Sequence, residues 1–292
     1  MNDSNLYEKA FLSFKRRYIM SDCNSCPSKG KCNNKENCMV ENNPLNKVKN
    51  VIAVMSGKGG VGKSTVSTLL ARQLKAMGYS VGLLDGDITG PSIPRMMGLE
   101  SVNLKVDEAG MHPALTKDGI YVMSMNLLTQ FEEQAVIWRG PMIASAVKQF
   151  WTDVIWGELD FLVIDMPPGT GDVPLTVLQS MPITGVVLVS TPQDLVSMIV
   201  AKAVNMAEKM GVKVFGVVEN MSYILCPDCN RRIELFGEGR ALEASKKVGT
   251  KFLGELPMNT NIMGISREFG IQADKNIENT FKDIVNGILE QI

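Results

Sequence analysis

From Val51 onward the chain alternates between short, continuously apolar runs and longer stretches whose apolar residues recur at helical spacing. The runs are Val51 to Met55, Val81 to Asp85, Ile120 to Met125, Phe161 to Asp165, Gly185 to Ser190 and Val214 to Glu219. Their apolar residues fall on consecutive positions, so both faces of each strand must be covered, and the separations leave room for crossover helices. The expected fold is α/β: a doubly wound, mostly parallel sheet with helices on both faces. Helices are predicted from Lys63 to about Met77, from about Met142 to Trp151, from Asp194 to Met210 with Asp194 as N-cap, and from Asn279 to the end. Residues 1–49 lack this rhythm. They are polar and turn-rich around four cysteines, and read as a Cys-rich metal-binding segment and linker ahead of one larger domain at 50–292.

A chain of 292 residues that is 45% hydrophobic can bury a sizeable core. Thirty basic residues against 31 acidic ones give a net charge of -1, and no run of Lys or Arg extends far enough to form a polyanion-binding tract, so nucleic acid is not an expected partner. Charged residues interrupt the first twenty positions, unlike a secretory signal, and no run approaches the ~20 apolar residues of a membrane span. A cytoplasmic protein without membrane association is expected. His112 is the only histidine, which removes His-based triads and metal sites and leaves cysteine as the soft-metal ligand. The 19 methionines read as core filler.

The chemistry starts at Gly57-Lys58-Gly59-Gly60-Val61-Gly62-Lys63-Ser64, continued by Thr65, between the first strand and the first helix. Glycines there let backbone N–H groups face a phosphate, the helix start adds its dipole, Lys63 reaches the β/γ phosphates and the Ser64 hydroxyl ligates Mg2+. This is a P-loop. Acidic residues close two further strands, as Asp85-Gly86-Asp87 and as Asp165 after Phe161-Leu162-Val163-Ile164. Ligands of open parallel sheets bind at such strand ends.

The second lysine of the loop, Lys58, makes it resemble the deviant Walker A loop of the MinD, ParA and nitrogenase iron-protein superfamily. The resemblance implies an ATPase that dimerises on ATP, with Lys58 crossing the interface to stabilise transition-state charge. It also implies that Asp87 orients the attacking water, that Asp165 holds Mg2+ through its water shell, and that Asn220 reads adenine. Three further segments resemble the Mrp/ApbC branch, whose members carry iron-sulfur clusters to apo-proteins. They are Gly90-Pro91-Ser92-Ile93-Pro94, Trp138-Arg139-Gly140-Pro141-Met142 and Asp165-Met166-Pro167-Pro168-Gly169-Thr170-Gly171-Asp172. With the loop and the later cysteine pair, this resemblance spans roughly residues 50 to 275.

The six cysteines fall into two groups, which in a reducing compartment points to metal before disulfides. Cys226-Pro227-Asp228-Cys229 offers two thiolates where a cubane cluster or a closed zinc site wants four. A twofold dimer would supply the other two. The resemblance implies a bridging [4Fe-4S] cluster there; half of a zinc ribbon and a redox dithiol are the other readings. Cys23, Cys26, Cys32 and Cys38 could close a site within one chain. The first three resemble the N-terminal cluster module of Nbp-type scaffolds, although the fourth lies downstream here, and cluster, zinc and free thiols all stay open.

The leading expectation is an ATP-hydrolysing cluster carrier, a homodimer using ATP, Mg2+ and a [4Fe-4S] cluster, with apo iron-sulfur proteins as clients. A MinD/ParA-like positioning or regulatory ATPase with structural zinc is the alternative. Its lipid anchor would be a basic amphipathic C-terminal helix. Here Phe281, Ile284, Ile288, Leu289 and Ile292 form a stripe, but Lys282 stands against Glu278 and Glu290, so packing on the domain is expected. An electron-transferring ATPase like the nitrogenase iron protein fits less well, because that protein's cluster cysteines are widely separated.

Overall fold

The computed structural model describes residues 40, 42–88, 90–99, 102, 104–128, 140–192, 196–226, 228–229, 231–237, 241–258 and 275–292. Cys23, Cys26, Cys32, Cys38, Trp138, Arg139, Asp194 and Pro227 lie outside them. The strands are β1 (Lys47–Ser56), β2 (Val81–Asp85), β3 (Val106–Asp107), β4 (Gly110–Met111), β5 (Ala114–Leu115), β6 (Tyr121–Met123), β7 (Glu158–Asp165), β8 (Gly185–Ser190), β9 (Val214–Glu219), β10 (Ile224–Leu225), β11 (Arg232–Ile233) and β12 (Phe252–Glu255). The helices are α1 (Lys63–Ala76), α2 (Ile93–Met96), α3 (Gly140–Thr152), α4 (Asp172–Ser180), α5 (Val196–Lys209), α6 (Ala241–Lys247) and α7 (Lys275–Leu289).

Eight strands form one sheet in the order β12-β9-β8-β1-β7-β2-β6-β5. Every pairing is parallel except that of β5 with β6 at one edge. Val51 to Ser56 of β1, all of β2 and all of β8 are buried residue after residue, as strands covered by helices on both faces must be. Chain order leaves β1 in one direction through β7 and β2 and in the other through β8 and β9. The carboxyl end of β1 therefore opens at the point where strand order reverses, the general position of a ligand crevice in such sheets.

The first strand begins at Lys47, inside the segment expected to be linker. Asn46 explains why. Its buried amide donates to the Val154 carbonyl at 2.9 Å and accepts from Trp156 and Gly157 N–H at 2.7 and 3.1 Å, fastening the chain directly ahead of the strand. The C-terminal stripe packs inward: Phe281, Ile284 and Ile288 of α7 are buried, while Ile292 is exposed. No helix among the described residues is long and apolar enough to cross a membrane.

Candidate nucleotide site and cysteine turn

The loop leaving β1 turns into α1 through Gly62, whose φ of 79° lies in the left-handed region that glycine adopts without strain. A side chain there would also collide with Asn220, since a Cβ would stand 2.1 Å from its Nδ2. Helix starts usually carry a Ser, Thr, Asp or Asn cap and acidic residues. Here α1 has no side-chain cap and no acid in its first turn, so its positive end is left for an anion from outside. Gly59 and Gly60 are exposed, and a Cβ on either would meet nothing within 4 Å.

Asp165 organises the floor of this crevice. It ends β7 beside β1, is fully buried, and gathers three donors: Lys63 Nζ at 2.8 Å and Ser67 Oγ at 2.8 Å on Oδ1, and Ser64 Oγ at 2.6 Å on Oδ2. Lys63 and Ser67 lie on one face of α1, and Ser67 also donates to the Lys63 carbonyl at 3.0 Å. The lysine and serine expected to receive phosphate and metal thus neutralise and solvate the acid expected to sit across the metal. That arrangement satisfies a charge which, buried alone, would be costly.

Asp85 stands next to Asp165 across the parallel rung, and the N–H of Gly86 donates to the Asp165 carbonyl at 2.8 Å. Burial first, then the neighbouring Asp165 charge, push the Asp85 carboxyl up to about 8. It accepts from Ser124 Oγ at 3.1 Å and from the N–H groups of Ile93 and Asp87 at 3.2 Å each, and Asp87 follows half-buried on the loop beyond. An aspartate whose folded pKa lies above its ordinary 3.8 takes up a proton on folding between those values. Its contribution therefore becomes less favourable as pH rises from about 4 to about 8. Thermal midpoints of the nucleotide-free protein should fall across that window, and Asp85→Asn should flatten the slope; equal slopes for both proteins would refute the assignment.

Asn220 closes β9 and is buried, its N–H bonded to the Ser190 carbonyl at 2.8 Å and its side-chain Nδ2 to the Val61 carbonyl at 2.9 Å. The expected base reader thus holds the phosphate loop itself. The Thr191 hydroxyl, at the end of β8, is buried without a hydrogen-bond partner among the described residues. The Pro167-Pro168-Gly169 segment flanks the loop, with the Gly169 N–H on the Ser56 carbonyl at 2.9 Å. Lys58 is half-buried in the loop, and Ser56 Oγ donates to its carbonyl at 3.0 Å. Lys58 comes from the loop after β1, Lys63 and Ser64 from the first turn of α1, and Asp85, Asp87, Asp165 and Asn220 from the carboxyl ends of β2, β7 and β9 or the loops just beyond them.

Three residues past Met221, whose φ of 57° breaks the chain direction, β10 and β11 form a two-stranded hairpin. Cys226 and Cys229 stand at its tip, free, half-buried and exposed respectively. The Cys226 N–H donates to the Arg231 carbonyl at 3.0 Å. Backbone N–H groups of Cys229 and Asp228, with the Cys229 thiol, hold the Cys226 thiol below its usual value and favour the thiolate that binds soft metals. Among the described residues no three His, Cys, Asp or Glu side chains are grouped so that they could hold a metal ion.

Residues 47–292 match the family described as ParA: NUBPL iron-transfer P-loop NTPase. The chain belongs to that family. As a NUBPL-type P-loop NTPase it is a nucleotide hydrolase by family. A Methanocaldococcus jannaschii protein named iron-sulfur cluster carrier protein is 42% identical over 92% of this chain and 96% of its own length. A Clostridium perfringens protein of the same name is 48% identical over 83% of this chain and 90% of its own. Among solved structures, a nucleotide-binding protein from Archaeoglobus fulgidus in complex with ADP is 43% identical, with a TM-score of 0.67 over 81% of this chain and 88% of that one. The cell division ATPase MinD of Pyrococcus furiosus shares the fold at a TM-score of 0.60 and 20% identity, covering 83% of this chain and 99% of that one.

Ser67, Ser124, Thr191 and Asp85's depth of burial escaped the sequence reading. Only Ser67 left a signal, four positions after Lys63 on the same helical face.

Proposed function

We propose that this NUBPL-type NTPase is an ATP-dependent carrier. It assembles a [4Fe-4S] cluster on Cys226 and Cys229 of two copies of the chain and passes it to apo-proteins. The observation that carries the reading is the cysteine turn. Two thiols, one already biased toward thiolate, are presented at the surface by a hairpin that begins five residues beyond Glu219, the last residue of the strand whose end grips the phosphate loop. The relatives named as iron-sulfur cluster carriers support it.

Two ligands in one chain call for two from elsewhere, and an isologous contact between copies supplies them symmetrically. Ile233, Leu235 and Phe236, which follow the turn, are exposed large apolar residues of the kind a second copy would cover. Thiolates near solvent suit a cargo that must leave. Cys23, Cys26, Cys32 and Cys38 would form a second, N-terminal centre holding iron-sulfur or zinc.

For ATP, the uncapped start of α1 and the loop from Gly57 to Thr65 would hold the phosphates, with Asn220 beside the base. Ser64 and Asp165 offer the oxygen donors that Mg2+ prefers, and the ion would neutralise phosphate charge there. Lys63 would then exchange Asp165 for phosphate oxygens, Lys58 would reach the other copy's nucleotide, and Asp87 would orient water. The test is transfer: protein reconstituted anaerobically with iron and sulfide should activate an apo [4Fe-4S] enzyme in the presence of Mg-ATP. Failure to activate, with nucleotide hydrolysis intact, would leave the positioning-ATPase reading in its place.

A further inference from the structure

A hairpin with two residues in each strand is marginal by itself, and residues 231–237 are exposed throughout. Something must hold the cysteine turn at a fixed angle to the sheet. Arg232 does so in three directions. Its Nη1 and Nη2 donate to the two oxygens of Glu255, the second at 2.8 Å, its Nε donates to Glu234 at 3.1 Å, and its guanidinium lies 4.1 Å from the Tyr223 ring centroid.

Glu255 is the last residue of β12, at the edge of the main sheet. It shares the Ser222 hydroxyl with Glu219, at 3.1 and 2.6 Å. Glu219 is buried at the end of β9 and takes the Ala241 N–H at 2.9 Å. The next residue, Asn220, grips the phosphate loop. A continuous chain of hydrogen bonds and one peptide link, Glu219–Asn220, thus runs from the Val61 carbonyl to Arg232, the residue paired with Leu225 immediately before Cys226.

We propose that Arg232 and Glu255 are positioning residues for the cargo, clamping the Cys226–Cys229 turn to the carboxyl edge of the sheet so that the thiolates stay aimed while the hairpin itself remains at the surface. This rests on the carrier reading above. A planar, bidentate guanidinium fixes orientation as well as distance, which a lysine ammonium does not. Groups hydrogen-bonded directly to metal ligands typically govern affinity by one to two orders of magnitude, and Arg232, which acts one step further out through its pairing with Leu225, is expected at the lower end.

The experiment uses the full chain with Cys23, Cys26, Cys32 and Cys38 changed to Ser, reconstituted anaerobically. Loss of cluster absorbance to an iron chelator is timed for wild-type Arg232, Arg232→Ala, Arg232→Lys, Glu255→Gln and Arg232→Ala/Glu255→Ala. Arg232→Ala is expected to lose cluster roughly 10-fold faster. Arg232→Lys should recover part of the difference, and the double variant should be no worse than Arg232→Ala alone. Hydrolysis without cluster and the thermal midpoint should stay near wild type, which separates aiming from folding. If the parent loads and Arg232→Ala releases at the same rate, the clamp is overturned while the carrier reading stands. If the parent takes up no iron at all, the carrier reading falls and takes the clamp with it.

Discussion

Lys63→Ala should reduce nucleotide hydrolysis by at least roughly 10²- to 10³-fold, the usual loss when one preorganised donor to a developing charge is removed. It should also destabilise the nucleotide-free protein. Lys63 is 6% exposed and Asp165 not at all, and their 2.8 Å contact is the one charge–charge bond Asp165 makes among the described residues. Removing one member of a buried pair typically costs about 3–5 kcal/mol, because the remaining charge has lost its counterion. The hydroxyls of Ser64 and Ser67 stay in place and should keep the loss toward the lower end. Denaturant midpoints measured beside phosphate release would check both effects. Lost activity with unchanged stability would mean that the Lys63–Asp165 bond does not persist in solution.

Cys226→Ala/Cys229→Ala should do the reverse. Both thiols lie at or near the surface, and neither contributes to the buried core. Stability and cluster-free hydrolysis should therefore stay within experimental scatter, as for ordinary surface substitutions. Reconstitution should leave no cluster beyond what the N-terminal cysteines hold, and activation of an apo-enzyme should drop to background. Retained transfer by this variant would assign the carrier chemistry to the N-terminal group.

These two expectations differ because the site has two kinds of residue, and they were unequally legible. The strands β2, β8 and β9 follow from sequence to the residue, since strands buried on both faces read as near-continuous apolar runs, here each closed by one polar residue. The phosphate loop is equally plain, because its glycines and lysine answer to local geometry. The helix α4 was missed. It opens directly after Gly169-Thr170-Gly171 and carries Pro174 within its first turn, a position where proline is tolerated but which reads as punctuation in a sequence. The strand β12 was missed as well, being four half-buried residues interrupted by Gly254. With β12 went Glu255, and with Glu255 the support of the cysteine turn. Arg232 and Glu255 are 23 residues apart and meet only because the sheet edge brings them together. No periodicity marks such a pair.

Asp85 makes the same point from inside the crevice. In sequence it is one more acid closing a strand, and only the rung shared with Asp165 shows that two carboxyl groups and one lysine occupy a water-excluded space. The nucleotide end of the protein is thus a locally encoded loop placed over long-range electrostatics, and the cysteine end is a local motif held by long-range contacts.

Native mass spectrometry tests the central claim most directly. With Cys23, Cys26, Cys32 and Cys38 replaced by Ser, Cys226 and Cys229 are the only cysteines of the chain. After anaerobic reconstitution, the shared-cluster account predicts a dimer carrying the mass of one [4Fe-4S] unit, and cluster-free chains once the thiols are alkylated. Monomers each holding a zinc ion, or a cluster retained by a single chain, would contradict it.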